Sequence, residues 1–474
     1  MADVLGGSFR DPAGFVYRHA GVVYRQVNDV GSPDYQALMD SGLYAELVKA
    51  ALLIRHEEVP APADAAPDHA KTLRPEAVEF ISYPYEWCFG QLRDAALATL
   101  EIQRRALARG LSLKDANAYN IQFHRGKPVL IDTLSFERYR EGEPWVAYRQ
   151  FCQHFLAPLA LMHYRDVRLG EWSRLHLDGI PLDLAAKLLP MRAWLRLSLW
   201  MNLKLHARSQ RRHAGGAAPA SATRVSKTGL GNILASLEAG VRKLRFEPGG
   251  SEWSDYDAEG SYGDGGLEEK KAVVARWLGE MAPHRVWDLG ANTGDFSRIA
   301  CEAGARVVAF DVDPGAVERN YRRVREAGET ALLPLRIDLC NPSPAQGFAH
   351  RERASLVERA GPDCVLALAL VHHLAISNNL PLERIAEFLA LLSPRLVIEF
   401  VPKGDPRVET LLATRPDIFP EYQREGFERA FSVYFEIEEA AALPGSERRL
   451  YRMLRRAHRA SVGPSGRSRP GAGA

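Results

Sequence analysis

Short apolar runs alternate with amphipathic helical segments along residues 266–455. The runs are RVWDL, RVVAFDV, LLPLRID, DCVLALAL and RLVIEFV, and the segments among them, such as PGAVERNYRRVREAG and PLERIAEFLALL, have helical spacing. This alternation is typical of a parallel, doubly wound sheet with helices on its faces. Two further runs, YFEIEEAAAL and RRLYRMLR, are separated by the turn PGSE and predict a closing antiparallel hairpin.

Breaks in composition divide the chain. Residues 207–224 are rich in Ala, Gly, Ser and Arg, and a similar composition returns at the C-terminal end. We therefore predict an N-terminal α+β domain over 1–205, a flexible linker over 206–265, an α/β domain over 266–455 and a disordered basic tail over 456–474.

The overall composition excludes several classes of protein. The chain has 61 Lys+Arg against 59 Asp+Glu, a formal charge of +2, so bulk charge gives no support to nucleic-acid binding. The 5 cysteines are scattered and form no CxxC pair, which argues against a disulfide framework or a zinc site. Because there is neither a signal-peptide pattern nor a long apolar run, we predict a cytoplasmic protein.

The turn DLGANTG at residues 288–294 ends the first apolar run and precedes a helix. A dinucleotide fingerprint would have a second glycine where Asn292 stands, and no Lys-Ser/Thr pair follows for a triphosphate. A cofactor without phosphates suits this turn better. S-adenosylmethionine (SAM) is the candidate.

Three acids fall at or beside the carboxyl ends of three consecutive predicted strands: Asp288, Asp311 and Asp338. Ligands of open parallel sheets bind at these ends. Asp311 is placed to accept both ribose hydroxyls, and Asp338 the adenine amino group. The alternatives are a solvated turn residue for Asp338 and a helix cap for Asp311, although Asp313 is the better cap candidate because Pro314 follows it.

These segments resemble the motifs of class I SAM-dependent methyltransferases. VWDLGANTG is similar to the first motif, VVAFDVDP to the second and DCVLALALVHHL to the fourth. The resemblance implies a Rossmann-like seven-stranded methyltransferase sheet and transfer of a methyl group from SAM to an acceptor. It implies a cofactor site formed by Asp288, Gly290, Asn292, Gly294, Asp311 and Asp338.

The catalytic candidates are His372, His373 and Glu399. The two histidines lie in the loop after the fourth strand, where a histidine can serve as a general base. The alternative is a histidine hydrogen-bonded to backbone beneath the cofactor. Glu399 lies inside an apolar run, where a buried carboxylate needs a partner or a raised pKa. A metal site is not expected, because neighbouring side chains on a strand point to opposite faces. Without an unambiguous base, a SAM-binding protein with no turnover also remains an alternative.

The N-terminal stretch LSLKDANAYNIQFHRGKPVLIDTLSFE resembles the catalytic segment of protein-kinase-like and aminoglycoside-phosphotransferase-like folds. The resemblance implies that Asp115 is a base and that Asn120 and Asp132 are metal ligands. The glycine-rich loop and the ATP-binding lysine of those folds are not found. We therefore predict a degenerate kinase-like domain that serves as a scaffold or substrate module for an unidentified small-molecule or protein acceptor. The alternatives are a bifunctional or ATP-dependent phosphotransferase and an α+β domain unrelated to kinases.

Residues 191–208, MRAWLRLSLWMNLKLHAR, combine tryptophans and leucines with basic side chains. Such a stretch is able to lie on a membrane surface. We favour the other interpretation, a helix whose leucines complete the N-terminal core.

Overall fold

The computed structural model describes residues 3–61, 69–205, 224–249, 265–413 and 415–457. They pack as two units, one formed by Met1–Ala258 with Gly290–Arg359, the other by Glu259–Leu289 with Ala360–Ala474. The predicted basic tail lies almost wholly outside the described residues. None of the described helices is long and apolar enough to cross a membrane.

The first unit begins with an antiparallel sheet of five strands in the order β1-β2-β3-β5-β4. The strands are β1 Asp3–Val4, β2 Gly14–His19, β3 Val22–Asn28, β4 His56–Val59 and β5 His69–Pro75. Helices Ser32–Asp40 and Leu43–Lys49 lie between β3 and β4 in the chain. Val27, Tyr35 and Leu73 are buried together beneath the sheet.

A helical region with two small hairpin sheets follows. Its longest helix is Phe89–Ala108. The N-cap residue is Cys88, whose backbone N–H donates to the Gln91 side chain (2.9 Å). The hairpins pair β6 Leu111–Leu113 with β9 Phe136–Arg138, and β7 Ile121–His124 with β8 Lys127–Leu130. The longer helical segments that follow are Tyr148–Phe151, Cys152–Leu156, Ala157–Tyr164, Val167–Arg174, Leu182–Leu188, Met191–Leu195 and Trp200–Leu205.

Seven strands form the second large sheet, in the order β12-β11-β10-β13-β14-β16-β15. They are β10 Arg285–Leu289, β11 Arg306–Asp311, β12 Leu332–Arg336, β13 Cys364–Ala367, β14 Arg395–Phe400, β15 Phe435–Ala442 and β16 Arg449–Arg455. β13 pairs in parallel with both β10 and β14, whereas β16 is antiparallel to β14 and β15. The predicted seven-stranded α/β sheet with a closing antiparallel hairpin is confirmed.

The helices of this part are Gly266–Met281, Asp295–Glu302, Pro314–Ala327, Leu382–Leu392, Pro406–Leu412 and Arg424–Ser432. Asp313 caps the third of these, since its side chain accepts the Gly315 N–H (2.7 Å) and Pro314 opens the first turn. Asp313, rather than Asp311, is therefore the helix cap. Asp311 is left to face the turn after β10.

The structure differs from the expected linker over 206–265. Residues 206–223 and 250–264 lie outside the described residues, but Lys227–Arg242 forms a helix capped by Ser226. Its buried residues Leu230, Leu234, Leu237 and Val241 recur at helical spacing, and the helix packs against Phe89–Ala108. The linker was predicted from the polar stretches on either side of this helix. The helical spacing of the leucines between them instead predicts a structured segment.

The N-terminal block and the strands β11 and β12 share a buried interior. The Gly90 N–H donates to Glu318 Oε2 (2.8 Å), and the Gln91 side-chain amide donates to the Pro334 carbonyl (2.9 Å). Tyr321, on the same helix as Glu318, donates its hydroxyl to Asp94 (2.8 Å). Since Gln91 is 0% exposed and Glu318 2%, these bonds are made away from solvent. The N-terminal block predicted to end at residue 205 therefore packs as one body with residues further along the chain.

The stretch from Met191 to Lys204 is divided between core and surface. Leu199 and Leu203 are 0% exposed, as expected for leucines that complete a core. Leu195 and Leu197, in contrast, are 87% and 69% exposed. The core interpretation thus holds for only part of this stretch.

Candidate functional site

The turn after β10 has a backbone that requires its glycines. Gly290 and Gly294 have φ of 76° and 81°, in the left-handed region that glycine adopts without penalty. A Cβ at Gly294 would also lie 2.5 Å from the Asn320 side-chain amide. Asn292 has a φ of 47°, which asparagine tolerates better than most residues. The conformation of this turn therefore explains why glycine or asparagine occupies these three positions.

The turn is fastened to the end of β11. The N–H groups of Gly290 and Ala291 both donate to the Phe310 carbonyl (2.8 and 2.9 Å). The next residue, Asp311, accepts the Asn292 N–H at Oδ2 (2.8 Å) and the Asp313 N–H at Oδ1 (2.8 Å). The structure thus brings together the glycine turn and the carboxylate that sequence reasoning assigned to the same cofactor.

The charge state of Asp311 is set by its surroundings. Burial raises the pKa of this carboxyl to about 6, although backbone N–H groups at Asp313 and Asn292 oppose the shift. A carboxylate offers about four lone-pair sites. The Val312 N–H also bonds to this carboxyl, and beyond these three backbone bonds Asp311 keeps acceptor capacity for a ligand.

The other two predicted acids lie in different settings. Asp338 is exposed in the loop after β12, and its Oδ1 accepts the Cys340 N–H (2.8 Å), which makes it a turn-forming residue. The Ile337 N–H donates to the Asp311 carbonyl (2.9 Å), so this loop starts beside the end of β11. Asp288 lies near the end of β10, in the other unit, and is 2% exposed.

His372 and His373 lie at the start of the helical turn His373–Ser377 rather than on a strand. Their ring centroids are 4.0 Å apart, so the argument that they point to opposite faces was wrong. Even so, the described residues contain no cluster of three or more metal-ligating side chains. Burial lowers the pKa of His372 far below its usual range and that of His373 to about 4, with Arg407 and Arg448 adding to the latter shift. Both imidazoles are therefore neutral at pH 7.

Glu399 on β14 belongs to a buried network of charges. Its side chain is 0% exposed, with Lys270 Nζ at 2.7 Å and Arg448 Nη1 at 3.4 Å. Arg448 also binds both carboxylate oxygens of Asp405, at 2.6 and 3.0 Å. Two cations and two anions make the network neutral, so the buried carboxylate has the partners that the sequence argument required.

Sequence reasoning missed Lys270 and Arg448. A signal for Lys270 was present, because it lies on the buried side of helix Gly266–Met281 with Val274 and Trp277 at helical spacing. For Arg448 there was none, since it follows a turn and its neighbour Glu447 is exposed.

The kinase-like residues Asp115, Asn120 and Asp132 do meet in the first unit. Asn120 and Gln150 hydrogen-bond to the Asp115 carboxyl, whose pKa is raised by burial and by the nearby Asp132. Asp132 in turn pairs with Arg25 on β3 (Oδ1 to Nη2, 2.8 Å). Arg25 is thus paired with the carboxylate of Asp132, which would have to bind a metal ion in an active phosphotransferase. Sequence reasoning missed Arg25, a basic residue in the run VVYRQVN.

Residues 343–359, which follow β12, pack onto the N-terminal block. Arg359 pairs with the buried Glu86, and Ser343 donates its hydroxyl to the same carboxylate (2.5 Å). A Cβ on Gly6 would collide with the Arg351 carbonyl. That glycine therefore permits close approach of this loop.

Comparison with known proteins gives one full-length relative. No family model matches the chain. The nodulation protein NoeA of Rhizobium meliloti (strain 1021) is 36% identical over 461 residues, which cover 94% of this chain and 95% of that protein.

Solved structures that are similar to this chain include two methyltransferases. One is the N-methyltransferase NodS of Bradyrhizobium japonicum WM9 (14% identity; 41% of this chain and 98% of that chain; TM-score 0.32). The other is the magnesium protoporphyrin IX methyltransferase ChlM of Synechocystis PCC 6803 with bound SAH (17% identity; 55% of this chain and 98% of that chain; TM-score 0.30).

Proposed function

This chain belongs to the family of the nodulation protein NoeA, a name that states no reaction, and we propose from its glycine turn that it transfers a methyl group from SAM to an acceptor. The observation that carries the proposal is the glycine turn after β10, hydrogen-bonded to Asp311 at the end of β11. It occurs in a seven-stranded sheet with a closing antiparallel hairpin, as the resemblance to class I methyltransferases implies.

The local chemistry favours SAM over a dinucleotide. A pyrophosphate needs close approach of the backbone at the position of Asn292, where this turn carries a side chain. Asp311 would accept the two ribose hydroxyls, and Asp338, exposed at the end of the next strand, would meet the adenine amino group. The Gly290–Gly294 backbone would line the cofactor. When bound, SAM supplies a methyl group on a sulfonium; the protein has to align the acceptor with it.

The acceptor side has no strong base among the three catalytic candidates. Glu399 has no exposed surface and two cationic partners. His373 is only partly buried, but with a pKa of about 4 it is a poor proton acceptor at neutral pH. An acceptor whose nucleophile is already deprotonated at neutral pH suits this site.

Calorimetry with SAM on the full chain tests the proposal. We expect binding by the wild type and a loss of about tenfold or more in Asp311→Ala, because a hydrogen bond to a charged group contributes about 1.5–3 kcal/mol. Glu326→Ala, an exposed carboxylate on helix Pro314–Ala327, is the matched control and should bind as the wild type does. Folded wild-type protein that does not bind SAM at millimolar concentration would refute the proposal.

For the N-terminal block we propose a degenerate kinase-like scaffold rather than a phosphotransferase. Arg25 neutralises Asp132, and the loop 343–359 occupies the surface beside Gly6. We expect Mg-ATP to leave the melting temperature of the full chain unchanged. A Mg-dependent rise in the wild type that is absent in Asp132→Asn would support the phosphotransferase alternative instead.

A further inference from the structure

Three tyrosines form a buried cluster in the first unit. Tyr83, Tyr85 and Tyr119 are 5–7% exposed, with Leu177 packed against them. The centroid of the Tyr83 ring lies 5.5 Å from that of Tyr85 and 5.9 Å from that of Tyr119. His154 continues the cluster, with its ring 6.3 Å from that of Tyr119.

The cluster contains polar atoms whose hydrogen bonds are not made. The hydroxyls of Tyr85 and Tyr119 and the Nε2 of His154 are buried, and none has a partner among the described residues. His154 itself is 4% exposed. An unpaired buried polar group costs about 1–3 kcal/mol, so native proteins rarely leave several of them together. Three in one place indicate a site for something that supplies the missing partners.

A cation faces the same cluster. The Arg353 guanidinium carbon lies 4.3 Å from the centroid of the Tyr119 ring, and its Nε is also buried without a partner. Within the described part of the chain, no carboxylate lies at ion-pair distance from Arg353. Arg359 stacks on Tyr83 at the same distance, but its charge is matched by Glu86.

We propose that Arg353, Tyr85, Tyr119 and His154 bind a small oxyanion, the carboxylate or phosphate group of a ligand held inside the first unit. This proposal does not depend on methyl transfer. A guanidinium and two phenol hydroxyls donate hydrogen bonds to oxygens. The anion would also give Arg353 a close ion pair, which Arg359 already has in Glu86.

The other charged groups nearby do not remove the need for an anion. Burial lowers the pKa of His154 to about 3, so its ring is neutral at pH 7 and adds no charge of its own. Burial raises the pKa of Tyr119 most, and the carboxylates of Glu86 and then Asp178 raise it further. Glu86 is paired with Arg359, whereas Asp178 is exposed to solvent. Exposure to water screens its repulsion of a bound anion.

A thermal-shift titration of the full chain tests the site. Sodium phosphate and sodium acetate are compared with sodium chloride at constant ionic strength. We expect phosphate or acetate to raise the melting temperature in a saturable way, because a ligand of the folded state stabilises it. Arg353→Gln should weaken the response at least tenfold, whereas Arg351→Gln, an exposed neighbour, should respond as the wild type does.

Tyr119→Phe provides the test that folding defects do not confound, because it removes only a hydroxyl that has no protein partner. We expect a stable protein with several-fold weaker anion binding. A near-ultraviolet tyrosine difference spectrum on adding the anion should appear in the wild type and shrink in this variant. If neither anion acts, or if all variants respond equally, the polar atoms meet only buried water and the proposal is wrong.

Discussion

The side chain of Asp311 affects both the stability of the folded protein and the SAM binding proposed for it. Its folded pKa, raised to about 6 by burial, lies above the ordinary aspartate value of 3.8. The ionised form is thus disfavoured in the folded state. The contribution of Asp311 to stability is full below about pH 4 and is lost as the pH rises through 6.

The same shift predicts how SAM affinity depends on pH. A protonated Asp311 has fewer acceptor sites for the two ribose hydroxyls, so we expect affinity to fall as the pH is lowered below about 6. Calorimetry between pH 5 and 8 measures this. Asp311→Asn should bind more weakly and without that dependence; an equal fall in this variant would assign the effect to another group.

Glu399 supports a second prediction. Glu399→Gln leaves the buried network with two cations, Lys270 and Arg448, against the single carboxylate of Asp405, so the free energy of unfolding should fall by about 3–5 kcal/mol. Denaturant unfolding measures the change. Asp417→Asn, in the exposed pair with Lys403, is the control and should cost less than about 1 kcal/mol. A Glu399→Gln protein that is stable but inactive would instead support a catalytic role for this carboxylate.

Among the elements, the helix Lys227–Arg242 shows how a structured segment is hidden between polar stretches. Leu237 is 0% exposed on its buried face, whereas Asn232 is exposed on the other. We expect Leu237→Ala to destabilise the protein by about 2–5 kcal/mol and Asn232→Ala by less than about 1 kcal/mol. Thermal and denaturant unfolding would measure both. Equal, small effects would mean that the helix does not pack on Phe89–Ala108.

At the scale of the whole molecule, the N-terminal block and residues 290–359 form one packed unit. Deleting residues 1–205 would uncover Glu318 and Tyr321 and remove the partner of Arg359. We therefore expect residues 206–474 alone to be unfolded or aggregated, and SAM binding to be lost with the fold. Circular dichroism and calorimetry of that fragment test this. A folded fragment with full SAM affinity would show instead that the two parts are independent.

The sequence by itself determined the features that depend on neighbours along the chain. Apolar runs and helical spacing specify the seven strands and the closing hairpin, because side-chain periodicity follows from local geometry. The glycine turn could also be predicted from the sequence, because positive φ angles favour glycine or asparagine at particular positions. Asp313 was identified as a cap from the proline that follows it.

Only the tertiary structure decided which distant side chains meet. Lys270 and Arg448 reach Glu399 from a helix and a turn far away in the chain, and Arg25 reaches Asp132 from a different sheet. Likewise, the contact of Glu318 with Gly90 makes one unit of two segments that composition separates. Burial and charge pairing are properties of packing, which periodicity does not encode. The charge state and role of a carboxylate or histidine are therefore decided by its tertiary contacts and not by its neighbours in the sequence.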